Sequence, residues 1–190
     1  MYDAILLHLG RAEARSKILE QHALEPKSYY VATVHRAENT DRKENLLSIC
    51  ETLNRLPKPA IVPLHPRTAQ KFKEYGIRPG QNLRCIDPLG YLDMLKLQKE
   101  AACVLTDSGG LQKEAYYLRV PCVTLRTETE WVETVETGWN VVSGIDQKRV
   151  IESVARMEQC GAAHPDLYGD GNTARRIARI LSDEMGQVRG

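Results

Sequence analysis

Residues 103–115 have the sequence CVLTDSGGLQKEA, in which a short apolar run passes through a glycine-rich turn into a helical segment. A run that is apolar at every position indicates a strand buried on both faces, as in a parallel sheet. The two adjacent glycines mark the turn that follows this strand. This stretch therefore predicts the strand–turn–helix unit from which doubly wound α/β domains are built.

The same alternation of short apolar runs and longer amphipathic segments continues along the chain. Residues 45–56, for example, place leucines and an isoleucine at helical spacing between two of the runs. The runs predicted as strands are residues 29–33, 60–64, 82–86, 103–106, 122–125 and 140–142. We therefore predict an α/β fold with a doubly wound, Rossmann-like parallel sheet, formed by residues 1–190 as a single domain.

The composition limits the classes of protein to which the chain can belong. It has 190 residues, of which 42% are hydrophobic, and a formal net charge of +1. A chain of this size builds its own core, and the balanced charge argues against nucleic-acid binding. The sequence offers neither a run of about 18 apolar residues nor a signal-peptide pattern. We expect a soluble, cytoplasmic protein with no membrane partner.

The cysteines and histidines are too scattered to suggest a metal site or a disulfide framework. The five cysteines are an odd number, and no two of them form a C-x-x-C pair. Three of them, Cys85, Cys103 and Cys122, lie in apolar runs, where a free cysteine acts as a small core residue. We predict no metal and no cofactor.

The two ends of the chain are predicted to be amphipathic helices that a self-contained domain does not need. The first, over residues 2–23, carries an apolar stripe but follows no strand. The second covers residues 173–185 and places Ile177, Ile180 and Leu181 on one face. We expect both helices to pack toward an N-terminal domain that is missing here.

The turn at Ser108, Gly109 and Gly110 is the strongest candidate for a binding site. Glycines at a helix start let backbone N–H groups point at an anion, and the serine adds a hydroxyl donor. Glu114 follows Gly110 by four residues, so its carboxylate is placed to accept both hydroxyls of a ribose while a diphosphate lies on the turn. The alternative is a tight structural turn with an exposed glutamate. The turn does not match G-x-G-x-x-G or the P-loop, which disfavours a redox dinucleotide or a kinase-type site.

Two histidines follow predicted strands on the same side of the sheet. His35 precedes Arg36 and is placed to contact a phosphate or to move a proton, or else to bond the backbone of its loop. Glu38 and Asn39 are alternatively caps of the next helix. His65 precedes Pro66, and we interpret it as a structural strand exit rather than a catalytic group.

Taken together, these motifs resemble the non-hydrolysing UDP-N-acetylglucosamine 2-epimerases, whose two-domain fold is that of glycosyltransferase-B enzymes. The matching pieces occur in family order, at residues 1–4, 33–39, 87–91, 106–115, 129–130 and 168–171. The resemblance covers the C-terminal half of such an enzyme. It implies an isomerase that interconverts UDP-GlcNAc and UDP-ManNAc by elimination and re-addition of UDP. It also implies a role in polysaccharide biosynthesis, a homodimeric full-length enzyme and an isolated half that is inactive.

The resemblance assigns a role to each candidate residue. Ser108, Gly109 and Gly110 are implied to hold the diphosphate and Glu114 the ribose. Leu89 and Met94 are implied to contact the uracil, and His35 to assist the departure of UDP as a catalytic residue. These site residues are His35, Leu89, Met94, Ser108, Gly109, Gly110 and Glu114.

Two positions depart from the family pattern. Met94 stands where an aromatic residue is common, and Trp131 replaces an arginine usually aimed at the substrate. The second change leaves the sugar open among UDP-amino sugars. A UDP-dependent glycosyltransferase domain and a non-catalytic nucleotide-binding module also remain as alternatives, since both would hold the nucleotide in the same way.

Overall fold

The protein folds around one six-stranded sheet in which every strand is parallel to its neighbours. The structure is a computed structural model that describes residues 1–187. The strand order is β3-β2-β1-β4-β5-β6, so the direction of winding reverses between β1 and β4. This order confirms the prediction of a doubly wound, Rossmann-like sheet.

The strands lie where the apolar runs predicted them, with ends that differ by at most one residue. They are β1 (Tyr30–Thr33), β2 (Ala60–Pro63), β3 (Leu83–Ile86), β4 (Cys103–Thr106), β5 (Cys122–Thr124) and β6 (Asn140–Val142). β4 is buried at all four positions, as expected for a strand at the centre of a sheet that is covered on both faces.

Helices cover both faces of the sheet. They are α1 (Tyr2–Arg15), α2 (Ile18–Gln21), α3 (Ala37–Thr40), α4 (Lys43–Asn54), α5 (Pro66–Tyr75), α6 (Tyr91–Lys99), α7 (Gly109–Tyr117), α8 (Val132–Glu136), α9 (Gln147–Met157) and α10 (Thr173–Gln187). Alternate strand residues enter different core clusters, so Tyr30 and Ala32 pack with α4 and α9, whereas Val31 packs with α1, α6 and α7. The helix α7 therefore packs on the same face of the sheet as α1 and α6.

The first helix is shorter than predicted. The sequence predicted one helix over residues 2–23, but α1 ends at Arg15 and a separate turn of helix, α2, begins at Ile18. Ser16 adopts an extended conformation between them, and its hydroxyl donates to Asp93 Oδ1 at 2.6 Å. This hydrogen bond to α6 supports the break, which local periodicity did not reveal.

Part of the apolar stripe of α1 is covered within the domain. Ile5 and Ala12 are buried, and α1 contacts α6 and α7. Leu6 and Leu7 remain exposed. The stripe of α10 is different, because Ile177, Ile180 and Leu181 are all more than half exposed. Whether these side chains face a further domain stays a prediction.

The remaining core predictions concern the cysteines. All five are free thiols; Cys103 and Cys122 are buried in the two core clusters, and Cys85 is half-buried against one of them. Within residues 1–187, no helix is both long and apolar enough to cross a membrane.

Candidate functional site

The candidate site lies at the carboxyl ends of β1 and β4, where the strand order reverses. In open α/β sheets this switch point is where ligands bind, because the loops on either side run apart and leave a crevice. The loop after β1 carries His35 and Arg36, and the loop after β4 carries Asp107 and Ser108. Two segments that are about 70 residues apart in sequence thus meet at one edge.

The start of α7 offers several hydrogen-bond donors to an anion. Ser108 is the N-cap residue and has extended backbone angles, and its side chain makes no capping hydrogen bond. The first N–H groups of any helix lack partners within the helix, and here they belong to Gly109 and Gly110, which are only partly buried. The positive end of the helix dipole adds to their attraction for negative charge. This start is suited to hold an anionic group.

A side chain at Gly109 would be crowded by its neighbours, although the backbone angles there do not demand glycine. A Cβ at this position would lie 3.2 Å from Trp131 Nε1 and 3.5 Å from Glu130 Oε2. A Cβ on Gly110 would meet nothing closer than Ser108 Oγ at 3.7 Å, an ordinary contact. Glycine at position 109 therefore allows the loop that contains Trp131 to pack against the start of α7.

Glu114 lies one turn further along α7 and is half-buried. Gln98 of α6 donates its amide N–H to Glu114 Oε2 at 2.9 Å. Burial raises the pKa of the Glu114 carboxyl, and the hydrogen bond from Gln98 partly opposes this change. The exposed turn glutamate considered from the sequence is thus replaced by a carboxylate held in a fixed position. Gln98 is buried completely, and the sequence analysis missed it.

α6 forms the side of the site next to Glu114. Leu89 precedes this helix and Met94 lies within it, and both are partly buried against the core shared with α7. Tyr91 begins the same helix, and the pKa of its phenol is raised by burial and by the charge of Glu114. The structure thus places Leu89 and Met94 on the α6 side of the site, beside α7.

Asp107 is the buried centre of the site. Its carboxylate accepts the backbone N–H groups of His35 and Arg36 at 3.1 and 3.0 Å, and the side-chain amide of Asn39 at 3.0 Å. Asn39 also donates to the Leu125 carbonyl, so it bridges two loops rather than capping a helix. A buried carboxylate with this many donors fixes the loop after β1 to the loop after β4.

The imidazole of His35 lies near the same carboxylate. Its Nδ1 lies 3.6 Å from Asp107 Oδ1, and its side chain is about one-third exposed, at 36%. With Nδ1 toward Asp107, Nε2 is the ring atom left to contact a ligand. The sequence analysis found His35 but not Asp107, although a charged residue directly after a buried strand is a usable signal.

His65 has a structural role at the start of α5. Its Nδ1 accepts the N–H of Arg67 at 3.2 Å, so it is the N-cap of this helix. Its ring centroid lies 5.5 Å from that of His35. This agrees with the interpretation of His65 as a structural strand exit.

A charged loop borders the site on the β5 side. Arg126 is buried and donates to both carboxylate oxygens of Glu130, at 3.0 and 2.9 Å. The hydrogen bonds from Arg126 hold the pKa of Glu130 below its usual value. Thr129 donates to Gln112 of α7 at 2.5 Å, so this loop is anchored to the site helix. Among residues 1–187, no group of three or more His, Cys, Asp or Glu side chains is arranged to hold a metal ion.

The fold and the site define a class: a Rossmann-like α/β domain of the glycosyltransferase-B type, with a glycine-rich helix start at the switch point of its sheet. A family model described as UDP-N-acetylglucosamine 2-epimerase matches residues 1–182. The chain therefore belongs to the UDP-N-acetylglucosamine 2-epimerase family, as the sequence motifs predicted.

Individual relatives agree with this assignment. The chain is 43% identical over 186 residues to a UDP-N-acetylglucosamine 2-epimerase homolog of Methanococcus maripaludis, covering 95% of this chain and 52% of that protein. It is 41% identical over 187 residues to the UDP-2,3-diacetamido-2,3-dideoxy-D-glucuronate 2-epimerase of Pseudomonas aeruginosa, covering 96% of this chain and 51% of that protein. The chain spans about half the length of these relatives.

A solved structure shows the same fold. The UDP-GlcNAc 2-epimerase of Methanocaldococcus jannaschii, in complex with UDP-GlcNAc and UDP, superposes with a TM-score of 0.88 at 38% identity. The match covers 95% of this chain and 52% of that chain. The correspondence again extends over nearly all of this chain and about half of the relative.

Proposed function

We propose that this chain is the UDP-binding, C-terminal half of a non-hydrolysing epimerase that interconverts UDP-GlcNAc and UDP-ManNAc. The observation that carries the proposal is the start of α7, where Ser108 and two glycines face the switch point and Glu114 lies one turn away. The Methanocaldococcus jannaschii relative, solved with UDP-GlcNAc and UDP, supports the ligand class. The family match favours an epimerase over a glycosyltransferase or a non-catalytic nucleotide-binding module.

Each part of the nucleotide has a partner in the proposed complex. The N–H groups of Gly109 and Gly110 and the Ser108 hydroxyl hold the diphosphate, since they form an anion-binding helix start. Glu114 accepts hydrogen bonds from the ribose hydroxyls, and the hydrogen bond from Gln98 to Glu114 Oε2 holds its carboxylate in place. Leu89 and Met94 contact the uracil from the α6 side.

The proposed reaction breaks and re-forms the bond between C1 of the sugar and UDP. Loss of the C2 proton and departure of UDP give a glycal, and a proton then returns to C2 on the other face while UDP adds back at C1. UDP is thus both the leaving group and the nucleophile. His35, whose backbone N–H is held by Asp107, contacts the departing phosphate and stabilises its developing charge.

The identity of the sugar depends on the loop that borders the site. Trp131 stands where the family commonly has an arginine, and the Pseudomonas aeruginosa relative acts, by its name, on a diacetamido-glucuronate sugar. We propose UDP-GlcNAc as the substrate because the other named relatives and the family description share it.

The other half of the proposed enzyme is expected to cover the exposed apolar helix face. Ile177, Ile180 and Leu181 of α10 are 52%, 59% and 58% exposed, which is unusual for three apolar residues on one face. The relatives are about twice as long as this chain, so they contain a domain of matching size. We propose that this N-terminal domain of the same cytoplasmic enzyme packs on α10 and on Leu6 of α1.

The proposal predicts that the chain binds UDP in preference to NAD. Isothermal titration with both nucleotides measures this directly. We expect UDP to bind at least tenfold more tightly, since the α7 turn lacks the dinucleotide pattern and suits a single ribose and diphosphate. Equal or tighter binding of NAD would show that the site is of another kind.

A second prediction is that the chain alone does not epimerise UDP-GlcNAc. Half of a two-domain cleft neither excludes water nor supplies the acid and base for C2. Incorporation of solvent deuterium at C2, followed by NMR, is a sensitive test, and the full-length Methanocaldococcus jannaschii enzyme is the positive control. Exchange catalysed by the isolated chain would place the proton-transfer groups within these residues and contradict the proposed division of labour.

A further inference from the structure

A lysine lies between two aromatic rings at the edge of the site. The ammonium of Lys113 is 4.1 Å from the ring centroid of Trp131 and 4.4 Å from that of Tyr168. The two rings meet edge to face, with centroids 6.3 Å apart. Both distances are well within the range of a cation–π interaction, so the charge of Lys113 rests on the face of the indole.

The same indole is bonded to the start of α7. Trp131 Nε1 donates to the Gly109 carbonyl at 2.8 Å. Helix geometry already gives this carbonyl a donor, the N–H of residue 113, so the indole adds a second one. The Gly109 carbonyl belongs to the peptide group whose N–H is that of Gly110, one of the donors assigned above to the diphosphate.

We propose that Lys113 and Trp131 are positioning residues that strengthen the diphosphate-binding peptide. The cation draws electron density from the indole and makes its N–H a stronger donor. A hydrogen bond to a carbonyl polarises the peptide, so the Gly110 N–H becomes a stronger donor in turn. The chain of contacts runs from Lys113 through Trp131 and Gly109 to Gly110. This inference rests on the proposed function and deepens it.

Anchoring of the loop alone does not account for the indole hydrogen bond. Thr129 already joins the loop to Gln112 at 2.5 Å, and Asn140 bonds the same amide oxygen at 3.2 Å. The Thr129 contact holds the loop against α7 further along the helix, and the Asn140 contact ties the same Gln112 side chain to β6. Trp131 donates to the carbonyl of Gly109, the first residue of α7. This carbonyl is next to the N–H groups that would bind an anion.

The test is to titrate the 190-residue chain with UDP and with uridine, which lacks the phosphates, by NMR. Trp131→Phe keeps the ring but removes the N–H, and Lys113→Met removes the charge. We expect each variant to bind UDP about twofold more weakly, because polarisation changes the strength of a hydrogen bond by roughly 10–30%. Uridine binding is expected to stay unchanged. The double variant is expected to bind UDP no more weakly than Trp131→Phe alone, because Lys113 acts through the indole.

The structure offers matched controls. Trp139→Phe removes an indole N–H that donates to the Ala163 carbonyl at 3.1 Å, away from the start of α7. Lys71→Met removes a cation 5.2 Å from the Tyr75 ring on α5. Both controls are expected to bind UDP as the wild type does, and Lys113→Arg is expected to retain most of the affinity since arginine also stacks on aromatic rings.

Several outcomes would overturn the inference. An equal loss of affinity for uridine and UDP would mean that the variants disturb the fold rather than the diphosphate site. A loss on Lys113→Met that persists in the Trp131→Phe background would mean that the lysine acts directly on the phosphates. If the wild type binds UDP and both variants match it, the inference alone fails. If the wild type does not bind UDP, the proposed function fails with it.

Discussion

Replacing Asp107 by alanine is expected to lower the free energy of unfolding by about 2–4 kcal/mol and to abolish detectable UDP binding. The change leaves the N–H groups of His35 and Arg36 without their acceptor, and the amide of Asn39 keeps only its hydrogen bond to the Leu125 carbonyl. A buried donor without an acceptor costs roughly 1–3 kcal/mol, and a water molecule at this position would restore only part of the lost hydrogen bonding. Denaturant unfolding and a UDP titration measure the two effects.

Two further variants serve as comparisons for Asp107→Ala. Asp41→Ala makes the same chemical change at an exposed ion pair with Arg67 and is expected to cost less than about 1 kcal/mol. Asp107→Asn keeps the oxygen that accepts most of the hydrogen bonds, so we expect it to fold and to lose less stability than the alanine variant. A similar loss for Asp107→Ala and Asp41→Ala would show that Asp107 does not hold the two loops together.

Replacing Glu114 by glutamine is expected to weaken UDP binding by about 1.5–3 kcal/mol, since hydrogen bonds to a charged acceptor are stronger than those to an amide. The change keeps the shape of the side chain and an oxygen for Gln98. Glu51→Gln, on α4 at the opposite face of the sheet, is the control and is expected to leave affinity unchanged. A calorimetric titration of the three proteins with UDP gives the result.

The pKa of Glu114 determines how stability and binding depend on pH. Burial raises this pKa in the folded protein, so the folded state binds the proton more tightly than the unfolded state. Its contribution to stability is therefore full below the unfolded pKa and is lost as the pH rises through the folded value. Glu114→Gln should accordingly not lower stability at neutral pH. As the pH falls through the raised pKa, UDP affinity should weaken more for the wild type than for Glu114→Gln, in which only the phosphate of UDP changes its charge.

The strands were predictable because each is a run of apolar residues bounded by polar turns. A strand such as Cys103–Thr106 is buried on both faces, and its burial at every position is therefore visible in the sequence as an unbroken apolar run. The turn at Ser108 to Gly110 was predictable for a similar reason, because the strand, the glycines and the helix are contiguous. Local patterns of this kind need no knowledge of the rest of the fold.

The contacts that complete the site were not predictable because they join distant parts of the chain. Asp107 binds the backbone of His35 across 72 residues, and Trp131 reaches Gly109 across 22. The break between α1 and α2 is another case, since Ser16 bonds Asp93 across 77 residues. The sequence around a polar side chain in one loop does not identify its partner in another loop. The contacts become evident only once the order of the strands is known, because that order brings the loops together.

The central claim is that this edge of the sheet binds a nucleoside diphosphate with Glu114 on the ribose. The measurement that tests it most directly is a titration of the wild type and Glu114→Gln with UDP and with 2′-deoxy-UDP. We predict that the wild type binds UDP more tightly than the deoxy nucleotide and that the substitution removes most of this difference. If the wild type binds both nucleotides equally, Glu114 does not contact the 2′-hydroxyl and the proposed site is contradicted.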